Sequence, residues 1–117
     1  MSNGIKLIAR TTASSGQTHC ALCGEPFELL HAVATLVEDD TPRGYVCQGC
    51  LIDGPRRVAL KIRARAGQLH DLAKRLQAAF PDGLWASLIQ ATQERASHWD
   101  ALAERVEELA EWTVEQS

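Results

Sequence analysis

The apolar positions of this chain change period near residue 55. Before that point they follow the two-residue alternation and short runs of strands. After it they recur every three to four residues, as on helices. Residues 1–18 are small and polar around a short IKLIAR run, and are read as a flexible N-terminal tail in which Ile5–Ala9 forms at most an edge strand. Phe27 to Val37 suits one or two strands. Residues 38–44, with Pro42 and Gly44, form a polar turn, and Tyr45-Val46 begins the returning strand. Gly54-Pro55 then punctuates the chain, and Asp53 is placed to cap a helix whose first turn accepts proline.

Two helices are expected next, over about 56–80 and 84–115. On the first, Val58, Ile62, Leu69, Leu72, Ala73, Leu76 and Phe80 fall on one side of a helical wheel. Pro81-Asp82-Gly83 stops it. On the second, Trp85, Leu88, Thr92, Arg95, Trp99, Leu102, Val106, Leu109 and Thr113 alternate in steps of three and four, a heptad-like stripe. A loop of about three residues forces the helices antiparallel. The fold class is therefore α+β, mostly α: a small β-hairpin module over 19–55, then a long helical hairpin over 56–117.

Composition adds helices packed close together, since Ala fills much of the apolar content and aromatics make up only 5%. No stretch is apolar enough to span a membrane, and the N-terminal residues lack a signal-peptide core, so the expected location is the cytoplasm. The net charge of −3 divides unevenly. Residues 54–80 hold seven basic and one acidic side chain, and residues 81–117 hold two basic and eight acidic.

All four cysteines stand as two pairs, Cys20-x2-Cys23 and Cys47-x2-Cys50, with 23 residues between them. Each CxxC turn sets two sulfurs on one side of a tight knuckle, and two knuckles facing each other make a tetrahedral four-thiolate zinc site. Such a site is closed to substrate, so one structural zinc per chain is expected, holding together a segment with few large apolar residues. A redox dithiol would call for a βαβ pattern, which is absent.

The knuckle CALCG, a hairpin, and YVCQGCL running towards a helix resemble the treble-clef zinc fingers, and among them the N-terminal zinc-binding domain of the ClpX unfoldases. The likeness spans about residues 19–65. It implies Cys20, Cys23, Cys47 and Cys50 as ligands and a module that recognises proteins. Gly54-Pro55 interrupts the run after the second knuckle, and no ATPase follows.

No catalytic set is present: the chain lacks a glycine-rich phosphate loop and a Ser-His-Asp arrangement, and no enzyme is expected. The expected function is a non-catalytic, zinc-structured adaptor or regulatory subunit that binds a protein partner and forms a homodimer. Trp85, Trp99, Leu102, Val106, Leu109 and Trp112 are its candidate interface, with Trp112 as anchor. The alternative is a nucleic-acid-binding regulator using the basic helix 56–75 through Arg56, Arg57, Lys61 and Arg63. Against it, a fold-back centred on residue 82 sets Arg56 and Arg57 level with Glu107 and Glu108, and Lys61 level with Glu104, so the charges serve the hairpin's own register.

Overall fold

The chain is described by a computed structural model covering residues 3–10 and 14–116. Strands β1 (Ile5–Ala9), β2 (Gln17–His19), β3 (Pro26–Glu28), β4 (Ala34–Glu38) and β5 (Thr41–Val46) precede helices α1 (Gln48–Asp53), α2 (Pro55–Ala79) and α3 (Ala86–Glu107). A short β6 (Val114–Glu115) closes the order. The α+β, mostly α architecture is the expected one: strand hairpins carrying a cysteine cluster, then long helices.

The strands make two sheets. β2 and β3 form an antiparallel ribbon with Thr18 opposite Phe27. The larger sheet has the order β5-β4-β1-β6. β1 runs antiparallel to β4, with Leu7 opposite Leu36, and β6 lies parallel to β1 at Leu7 and Ile8. The β4–β5 turn is tight. Asp39 and Asp40 both take positive φ, 51° and 64°, the left-handed pair that matches the twist of a two-residue hairpin. Pro42 falls on the edge strand β5, where its missing N–H costs no ladder bond.

The N-terminal reading is corrected here. Ile5–Ala9 is an inner strand, and Leu7 is fully buried. The alternation Ile5, Leu7 inward puts these side chains on the helices, so burial holds the segment that composition alone presents as a tail. Residues 1, 2 and 11–13 of that expected tail lie outside the described residues.

Gly54, at φ 85°, breaks α1 from α2 and caps α2, with Pro55 in its first turn. Asp53 is not the cap; its carboxylate pairs with Lys61. The core lies where the sheet meets the near halves of α2 and α3: Leu7, Leu22, Leu36 and Val46 pack with Val58, Ile62, Leu102 and Val106. Arg105 pins the sheet to α3. It donates to the carbonyl of Asn3 (2.8 Å), to the Asp39 carboxylate (2.7 Å) and to the buried Glu38 (2.9 Å).

The second helix is shorter than the expected 84–115. It ends at Glu107, and the chain turns so that Leu109 and Trp112 reach the core and Val114 reaches β1. The ion pairs across the helical hairpin also differ. Arg63 pairs with Glu107 and His70 with Asp100, pairs centred on residue 85, while Arg65 lies over Trp99, a contact centred on residue 82. The tip loop is longer than expected: residues 80–85 are all non-helical, with Gly83 at φ 82°. Among the described residues no helix is long and apolar enough to cross a membrane.

Candidate metal centre

Each cysteine pair is delivered by a different local device. The β2–β3 ribbon turns through Cys20–Glu25, where the Cys20 N–H donates to Glu25 O and the Gly24 N–H to Cys20 O, both at 2.9 Å. Gly24 takes φ 77°, and a side chain there would strike the Arg65 guanidinium, so the turn depends on glycine twice. The second pair begins where β5 ends. Cys47 is the N-cap residue of α1 and Cys50 sits in that helix, buried. The single hairpin expected with a CxxC at each end is thus two hairpins, one carrying Cys20 and Cys23 on its turn and one leading Cys47 into a helix. The Ala21 N–H donates to Tyr45 O at 2.8 Å and locks the two together.

The four sulfurs lie within 4.8 Å of one another, and they form the metal-ligand cluster found among the described residues. Cys20 Sγ is 3.7 Å from Cys50 Sγ, and Cys23 Sγ is 3.8 Å from Cys47 Sγ. Sulfurs at about 2.3 Å from a tetrahedral zinc stand about 3.8 Å apart, whereas a disulfide needs about 2.05 Å. All four cysteines are free. The donor set and its spacing fit a four-coordinate metal ion.

The surroundings favour thiolate at one corner. Cys20 Sγ accepts from the N–H groups of Leu22 (3.4 Å), Cys47 (3.4 Å) and Cys23 (3.5 Å). A hydrogen bond from Cys50, with these backbone donors, holds the Cys20 thiol well below its ordinary range. Burial pushes Cys23 up, to about 11. Cys50, hydrogen-bonded to the Cys20 sulfur and buried among its neighbours' charges, is pushed up as well. Four thiolates this close repel one another, and a divalent cation at their centre removes the conflict.

Two side chains from outside the knuckles hold their carbonyls. Arg65 donates to Cys23 O at 3.1 Å while its guanidinium lies over the Trp99 ring, 4.6 Å from the centroid. Trp112 Nε1 donates to Cys50 O at 3.0 Å. Their role was not visible in the spacing of the cysteines, because both come from elements distant in sequence.

The structure scatters the expected interface. Leu102 and Val106 are buried in the chain's own core, and Leu109, Trp99 and Trp112 pack against it. Trp112 is an internal anchor, because the chain turns back after α3. Trp85 alone of the six stays exposed, its ring tilted against Phe80 at 5.5 Å. Among the four candidate nucleic-acid cations, Lys61 is taken by Asp53 and Arg63 by Glu107, and Arg56 and Arg57 are exposed. The expected partner of Lys61, Glu104, is replaced by the Asp53 carboxylate. His70 faces Asp100, and His98 lies 3.9 Å from Glu38.

No family model, no curated protein and no solved structure matches the chain, and no likeness to the ClpX zinc-binding domain is shown; the four clustered cysteines are consistent with a zinc-finger-like motif.

Proposed function

We propose that this chain is a non-catalytic zinc-binding protein that acts as a protein-interaction adaptor. One structural zinc is held by Cys20, Cys23, Cys47 and Cys50. The observation that carries this reading is the closed set of four sulfurs at tetrahedral spacing. With every coordination position filled by protein, the metal offers no open site for a substrate and serves to fix the fold. It joins the ribbon, the sheet and α1 into one platform, from which α2 and α3 project. Reduced, metal-bound thiols fit a reducing compartment such as the cytoplasm. The regulatory alternative, nucleic-acid binding, retains Arg56 and Arg57 as its exposed cations.

Native mass spectrometry of the protein purified under reducing conditions tests this reading. One zinc per chain, removed by a strong chelator with loss of the sheet's circular-dichroism signal, is the expected result. A folded chain without metal overturns it.

A further inference from the structure

We propose that the far half of the helical hairpin docks on a second copy of this chain, antiparallel, to form a two-fold dimer. This rests on the adaptor reading and names its first partner as the chain itself.

Four stripes at heptad spacing run the length of one hairpin face. On α2 they are Val58, Arg65, Leu72 and Ile62, Leu69, Leu76. On α3 they are Leu102, Arg95, Leu88 and Val106, Trp99, Thr92, with Trp85 at its N-cap. Residues seven apart on a helix share a face. The near members, Val58, Ile62, Leu102 and Val106, are buried under the chain's own sheet. Arg65, lying over Trp99 and bonded to the Cys23 carbonyl, marks where the zinc knuckle meets this face. Beyond it the face is partly uncovered: Thr92 is buried and Leu69 and Leu76 are half-buried, but Leu72 is 45% exposed, Leu88 46%, Trp85 41%, and Leu84 at the tip 76%. The stripe therefore continues past its cover.

The size of this face favours a copy over a short peptide. Each helix runs partly uncovered for roughly 15–20 Å, and the pair is about 20 Å wide. That is a projected patch of roughly 300–400 Å² before side-chain relief, against the ~800 Å² of accessible surface that each partner of a standard-size complex buries. Its charge is slight, with Arg95 the one charged stripe position past Arg65, so nothing on it selects a charged ligand. Two such faces repel each other little and close on themselves by a two-fold axis.

Geometry sets the orientation. The zinc platform stands on this face at the near end, where Cys23 and Glu25 form a groove of about 720 Å³ with Lys61, Arg65, Leu69 and Leu72. Parallel copies would drive the two platforms into each other. Antiparallel copies set each tip, with Phe80, Leu84 and Trp85, against the groove wall of the other.

Sedimentation velocity of the full zinc-loaded chain, from about 1 to 100 µM, tests the proposal. A dimer is expected, and Leu72→Glu with Leu88→Glu converts it to a monomer with unchanged metal content and helicity. A wild-type chain that stays monomeric across the range overturns the interface, as does a double variant that stays dimeric. Metal content is read on the same samples. A metal-free dimer overturns the zinc centre and leaves the interface standing; a zinc-loaded monomer does the reverse.

Discussion

The indole Nε1 of Trp112 donates to the carbonyl of Cys50 at 3.0 Å, so the last segment of the chain is fastened to the helix that carries a metal ligand. The contact joins positions 62 residues apart and packs the indole against the core. Trp112→Phe keeps most of the packing and removes one hydrogen bond, at a cost of about 1 kcal/mol in urea unfolding. Trp112→Ala, which also empties the ring's place on the core, costs more, about 3 kcal/mol. Equal stability of all three proteins would show that the segment does not dock.

Removing one ligand tests the division between platform and hairpin. Cys47→Ser leaves three thiolates and a cap without its sulfur. The metal contribution in modules of this kind is on the order of 10 kcal/mol, more than the small sheet can replace. Metal content should fall towards zero and the β1–β4 amides should lose hydrogen-exchange protection, while part of α2–α3 helicity persists. Unchanged metal content and melting temperature would contradict the site.

The N-terminal strand makes a separate prediction. Leu7 is fully buried between β4 and the helices. Leu7→Ala should destabilise the zinc-loaded protein by about 3 kcal/mol, the cost of a cavity in a packed core. A dispensable tail would show no change on this substitution.

Arg105 neutralises a carboxylate that water cannot reach. Glu38 is 6% exposed, and its second oxygen has no hydrogen-bond partner, though Arg43 lies 3.3 Å away. Arg105→Ala leaves this charge with one cation and frees Asn3 and Asp39. A loss of about 2–3 kcal/mol is expected. Adding Glu38→Gln should recover part of it, and a double-mutant cycle without coupling would refute the pairing.

Two of the four basic candidates already hold carboxylates in the chain, so no steep salt-dependent binding to DNA or RNA is expected. Fluorescence anisotropy between about 50 and 200 mM salt reads this directly. Tight binding that weakens with salt, and with Arg56→Ala plus Arg57→Ala, would favour the regulator over the adaptor.

What could be read from the sequence was local. The CxxC spacing, Gly24, and the punctuation at Gly54-Pro55 and Pro81-Gly83 act within a few residues, and they marked the knuckles and α2 to within a residue. The partners of β1 could not be read that way. Ile5–Ala9 becomes an inner strand only by pairing with Ala34–Glu38, and an isolated five-residue apolar run carries no sign of that pairing. The end of α3 was missed for a similar reason. Heptad spacing continues through Leu109 and Thr113, but Trp112 gains more by reaching Cys50 across the fold than by extending a helix into water. The ion pairs could not be placed by counting along two helices, because long side chains reach a turn or more either way: Arg63 found Glu107, and Lys61 found Asp53 on its own side.

The most direct test is X-ray absorption at the zinc edge of the purified, reduced protein. Four sulfur neighbours at about 2.3 Å, with no nitrogen or oxygen in the inner shell, is the expected result. Fewer than four sulfurs, or an oxygen neighbour at about 2.0 Å, would contradict a closed structural centre and return the chain to the class of proteins whose metal is open to chemistry.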